Sequence, residues 1–152
     1  MSTRSVIGIP DGDGWKGRYC HSDGYPRWNG VKLQELVVRD GLEKVVQTVV
    51  VDNYGWSSID PDVARLHVYQ DDGRFKVVPD YGVAYTEVDG QTSPDEWHTY
   101  EGAQDSWCEW AYVLIPRGIQ VFENVGKEWK HRGLVPYDSP DAMKAIEMEG
   151  AR

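Results

Sequence analysis

The densest run of chemically capable side chains is Tyr19-Cys20-His21-Ser22-Asp23-Gly24-Tyr25-Pro26. An imidazole at His21 can act as a general base, and a carboxylate two residues on, at Asp23, can orient it. Residues i and i+2 share one face of a strand, so the pair is open to the chemistry of a small hydrolase or transferase. The competing reading makes His21 a hydrogen-bonded residue at a strand end and Asp23-Gly24 an ordinary turn. Cys20 adjoins His21 and points to the opposite face. A nucleophilic thiol there would need His67, His98 or His131 brought in by the fold. An inert buried thiol is the expectation.

Asp11-Gly12-Asp13-Gly14 has part of a calcium-loop pattern, but Trp15 stands where a third oxygen ligand belongs, and a hairpin turn accounts for it. The two cysteines and four histidines lack the short paired spacings of a zinc site, so no metal and no cofactor are expected. Phosphate-binding glycine loops, the dinucleotide fingerprint and the nucleophile elbow are all missing from the sequence.

The chain has 7 Trp and 9 Tyr but only 2 Phe. Trp and Tyr carry a polar handle and suit interfaces and ligand pockets. A contact surface is expected to draw on Tyr19, His21, Asp23, Tyr25 and Trp28, together with a second loop carrying Tyr54, Trp56 and Ser57. Two helices between these loops would return the chain to the same end. The competing reading lets Trp28 and Trp56 plug the helix ends against the sheet.

The elements that must position these residues follow from pattern. Residues 3–9 and 15–21 read as strands of an N-terminal hairpin around the turn at 10–14. Alternation puts Trp15, Gly17, Tyr19 and His21 on one face and Lys16, Arg18 and Cys20 on the other. Asn29 is expected to cap a helix over 30–39. Asp40, with Glu43 three residues on, is expected to cap a second one. Leu42, Val45, Val46, Val49 and Val50 form its apolar stripe, with a strand over 45–51 as the alternative. Residues 53–58 read as a loop and 59–73 as irregular. Strands are expected at 74–78, 82–88, 96–100, 107–115 and 119–123, and a short C-terminal helix from Ser139-Pro140 towards Met148. The whole reads as one α+β domain over 1–152, an antiparallel sheet with helices packed on one face.

Sixteen Lys and Arg against 25 Asp and Glu leave a formal charge of −9. That charge repels nucleic-acid phosphate and anionic lipid, so direct nucleic-acid binding is not expected. An acidic face could instead imitate nucleic acid and inhibit its binders. No stretch has the ~18 apolar residues a membrane span needs, and no export signal is visible. Reduced thiols in a cytoplasm are the expectation.

The run Tyr19-Cys20-His21-x-Asp23-Gly24-Tyr25-Pro26, followed by Asn29-Gly30 and a helix, resembles a family of small uncharacterised proteins of bacteriophages, prophages and bacterial genomes. Arg4-Ser5-Val6-Ile7-Gly8-Ile9 and Tyr54-Gly55-Trp56-Ser57-Ser58 resemble its actinobacterial and actinophage members, and Glu109-Trp110-Ala111-Tyr112 does so more loosely. Ser22 stands where such proteins often carry an aromatic residue. The resemblance implies a phage or prophage setting in a bacterial cytoplasm and no catalytic residues. Three functions are therefore carried forward. The first is an accessory protein that blocks a host protein or sequesters a small, nucleotide-like ligand, as in counter-defence. The second is a small enzyme using His21 and Asp23. The third is an acidic nucleic-acid mimic.

Overall fold

The structure, a computed structural model, describes residues 3–66, 73–86 and 93–150. Strands β1 (Ser5–Asp11) and β2 (Gly14–Cys20) form the expected hairpin, in register from Ser5 opposite Cys20 to Asp11 opposite Gly14. Gly12 takes φ +57° at its tip, a conformation that favours glycine. Midway, Gly8 faces Gly17. A Cβ on Gly8 would lie 2.4 Å from the Lys16 carbonyl oxygen, and one on Gly17 2.5 Å from that of Ile7. The two backbones therefore approach as only paired glycines permit.

The hairpin sits inside the sheet, not at its edge. With β3 (Gly55–Ser58), β4 (Phe75–Val78), β5 (Gly82–Tyr85), β6 (His98–Thr99), β7 (Trp110–Ile115), β8 (Gly118–Val125) and β9 (Glu128–Val135), the described strands run β4-β5-β3-β2-β1-β7-β8-β9. The short β6 pairs with the first half of β2. The sheet is mixed, which corrects the expectation of a purely antiparallel one. β1 pairs in parallel with β7, and β2 in parallel with β3, while the other pairs are antiparallel.

Strand alternation divides two cores. One face of the sheet offers Ile7, Cys20, Trp56, Tyr112 and Val121 to α1 (Val31–Asp40), α2 (Leu42–Val46) and α4 (Pro140–Gly150). The valine stripe is helical. Val45, Val49 and Val50 are fully buried, Leu42 and Val46 pack at their margin, and a π-helical turn at Gln47–Val51 carries the stripe past the end of α2. Each fully buried valine contributes about 1.5–3 kcal/mol, which outweighs its weak helix propensity. The opposite face offers Val6, Trp15, Ala111, Val113 and Trp129 to Ala103 and Cys108, from a 3₁₀ helix (Tyr100–Asp105) and the segment after it.

Several local expectations are corrected. Asn29 does not cap α1, since a π-helical turn over Pro26–Gly30 precedes that helix and the Asn29 amide turns inward. Asp40 does not cap α2; it accepts hydrogen bonds from Arg39 and from the Tyr81 hydroxyl. Residues 55–58 form β3 instead of a loop. Residues 61–66 form α3 (Pro61–Leu66), whose Asp62 N–H donates to the Asp60 carboxylate at 2.9 Å. The long strand β9 had no counterpart in the sequence reading. The end of the strand expected at 82–88 and His67 lie outside the described residues.

Candidate functional site

Much of the run from Tyr19 to Gly30 is occupied in building the fold. Cys20 is fully buried beneath the helices, and burial pushes its thiol up to about 12. The Asn29 Nδ2 donates to the Ser22 carbonyl at 2.9 Å and to the Ser5 hydroxyl at 3.2 Å, and it lies 3.5 Å from the Cys20 sulfur. Asp23 is exposed and takes φ +60°, and its carbonyl accepts the Asn29 N–H at 3.0 Å. Gly24 donates to the Thr3 carbonyl at 2.8 Å, and a Cβ there would meet that same oxygen at 2.6 Å. The Gly24 carbonyl in turn accepts the buried Tyr112 hydroxyl at 2.5 Å. Pro26 opens the π-helical turn, and Gly30 leaves room for Met143 of α4, whose sulfur a Cβ would meet at 2.7 Å.

What remains on the other face is Tyr19 and His21. The Arg4 Nε donates to the Tyr19 hydroxyl at 3.0 Å. A guanidinium can only donate, so the Tyr19 proton is left for His21 Nδ1, 2.8 Å away. This assigns the neutral His21 proton to Nε2. Burial raises the Tyr19 pKa, opposed by its hydrogen bond from Arg4, and the phenol stays protonated at neutral pH. His98 of β6 stacks on the Tyr19 ring at 5.8 Å and 23°. Burial lowers the His98 pKa, which keeps that imidazole neutral. The Arg4 guanidinium lies 5.9 Å from the ring centre of Trp107, which is 79% exposed. Among the described residues no acceptor holds the two terminal nitrogens of Arg4.

Arg4, Tyr19, His21, His98 and Trp107 thus form one patch that combines a fixed cation, two imidazoles and an open indole. It is suited to an anionic group beside a planar ring. Asp23 does not orient His21, because Tyr19 occupies the Nδ1 position instead.

The other expected site residues are dispersed. Backbone bonds from His21 N to Trp56 O at 2.8 Å and from Ser22 N to Ser57 O at 3.1 Å bring the two expected segments side by side. Trp56 itself is fully buried, with its indole N–H donating to the Val49 carbonyl at 2.9 Å. Ser57 is half-buried. Tyr54 lies on the helix-covered side with Arg18, whose guanidinium is 5.3 Å from its ring centre. Tyr25 and Trp28 are exposed at 39% and 56% on the turn, where Arg27 pairs with Glu147 of α4 at 3.1 Å.

Arg4 and Trp107 were not expected at the site, and His98, considered only as a partner for Cys20, stacks instead on Tyr19. Arg4 had a signal: the hairpin register of Ser5 with Cys20 carries Arg4 to the level of His21. His98 and Trp107 arrive through long-range pairing, and no local spacing places either beside Tyr19 or Arg4.

Among the described residues no three His, Cys, Asp or Glu gather to hold a metal ion, and no helix is long and apolar enough to cross a membrane. Comparison with protein-family models, with curated proteins and with solved structures returned no match.

Proposed function

We propose that this protein is an accessory binding protein of phage or prophage type, acting in the host cytoplasm. It captures a small nucleotide-like anion, or an equivalent group on a host protein. The observation that carries this reading is the Arg4 guanidinium, oriented by Tyr19 and set beside the exposed Trp107. A planar base stacks on the indole while a phosphate takes the terminal nitrogens of Arg4. His21, with its Nε2 proton, supplies a further donor. The resemblance of the segment from Tyr19 to Pro26 supports the phage setting.

Native mass spectrometry of protein purified from its bacterial host, followed by titration with adenosine and guanosine monophosphates, tests the reading. Arg4→Ala and Trp107→Ala, each checked for folding by circular dichroism, should lose most of the binding. Folded variants that bind as the parent does would place the site elsewhere.

A further inference from the structure

At the turn end of the hairpin, on the same face of the sheet as Tyr19, lies a cavity of about 350 Å³. Trp15, Tyr100 and Phe122 line one part of it, and Pro10, Val113, Ile115 and Gln120 another. Trp15 and Tyr100 meet edge to face at 6.1 Å and 81°, Tyr100 and Phe122 at 6.0 Å and 74°, and Trp15 and Phe122 at 5.8 Å and 43°. His131 flanks Phe122 at 5.1 Å and hydrogen-bonds Gln120. Tyr100 remains 42% exposed, so the cluster is not closed on itself.

The formal charge on the described residues lining this cavity is negative. Asp13 lines it, and the Glu101 carboxylate stands 3.3 Å from where a Cβ on Gly14 would lie. Among the described residues that line it, none is Lys or Arg. The whole chain carries −9. Tyr100 and the half-buried Phe122, packed against Trp15, which is itself only 3% exposed, offer ring surface beside the Asp13 carboxylate and attract a weakly hydrated cation through the ring quadrupoles and the local field. A volume near the lower end of the range for ligand pockets suits a single head group. Gly14 is part of the construction, since a Cβ there would lie 2.9 Å from the Tyr100 Cβ and push that wall aside.

We infer that this cavity binds an organic cation of the quaternary or methylated ammonium class. It is independent of the Arg4 patch, whose cation would repel such a ligand.

The test uses choline chloride as probe, with 3,3-dimethylbutan-1-ol as its neutral isostere and sodium chloride as the ionic-strength control. Backbone and indole NMR shifts are followed in the full chain. Choline should move the Trp15 indole and Tyr100 signals saturably, and the isostere should bind about tenfold more weakly. Tyr100→Ala should weaken choline binding about fivefold or more, while Tyr100→Phe keeps the ring and most of the affinity. Asp13→Asn should weaken it about two- to threefold. Equal binding of the isostere, shifts confined to other regions, or no saturable shift with choline would each overturn the inference.

Discussion

Replacing Arg18 tests how a largely buried cation holds the chain together. Arg18 is 2% exposed, and its Nε donates to the Val50 carbonyl at 2.8 Å. Its Nη1 donates to the Glu96 carbonyl at 2.7 Å, with the Pro94 and Ser93 carbonyls further off at 3.3 and 3.4 Å. The Trp97 ring lies across the guanidinium at 3.4 Å. One side chain of β2 therefore ties the end of the π-helical turn at 47–51 to the segment 93–97. The two short charge-assisted bonds contribute about 1.5–3 kcal/mol each, and the stacked indole about 2 kcal/mol. Desolvation, the same effect that lowers the Arg18 pKa, offsets several kcal/mol of this. Arg18→Met keeps the bulk and leaves the carbonyls unpaired, so a net loss of about 3–5 kcal/mol is expected. Urea unfolding should show a lower midpoint with a similar slope. Limited proteolysis should open at 93–97 before the rest of the chain. A loss below about 1 kcal/mol with unchanged protease resistance would refute the reasoning, because the carbonyls would then be satisfied without the guanidinium.

Trp56→Ala should destabilise by about 3–5 kcal/mol in the same assay, since it empties the core and strands the Val49 carbonyl, whereas Tyr25→Ala should change stability by no more than about 0.5 kcal/mol. Gly8→Ala should prevent a native far-UV circular dichroism spectrum or lower Tm sharply, because the new methyl meets backbone that has no room to move. Burial pushes both Cys20 and Cys108 from 9.0 up to about 12. Between those values the unfolded chain has released thiol protons that the folded chain still holds. Stability is therefore full below about pH 9 and falls as pH rises, by about 1.4 kcal/mol per pH unit for each thiol. Urea midpoints from pH 8 to 11 should decline accordingly, and less steeply in Cys20→Ala; a flat profile would contradict the burial of both thiols.

Where apolar pattern and local turns decide structure, the sequence was readable. The hairpin, the stripe from Leu42 to Val50, the β7–β8 pair and α4 all rest on residues close together in the chain. β3 was hidden because Asn53-Tyr54-Gly55 carries a loop signal. Its strand character comes from β2 and β5 on either side. β9 was hidden because its alternation is broken. The register with β8 shifts between Val121 and Phe122, which leaves Arg132 as an extra residue between His131 and Gly133. α3 starts at Asp60-Pro61, a sound helix start with too short an apolar pattern after it to stand out from an irregular segment. At the candidate site, Tyr19 and His21 were legible from spacing. The partner that fixes His21 was misread, because i, i+2 geometry favours Tyr19 as well as Asp23 and only side-chain placement separates them.

The parallel pairings also bear on how the chain comes to be folded during synthesis. β1 is made early, yet its outer edge is covered by β7, where Ser5 pairs with Trp110. At roughly 5–20 residues per second, a nascent hairpin waits several seconds or more with an open, apolar edge. The short, glycine-interrupted stretch of β1, with Gly8 at its centre, makes that waiting edge a poor template for other chains. The sheet closes around the hairpin only after β7 has emerged, so the first strand made gains its second neighbour late. A stalled chain that ends before residue 110 should accordingly hold a hairpin and helices but no complete sheet, and it should depend on chaperones that shield strand edges.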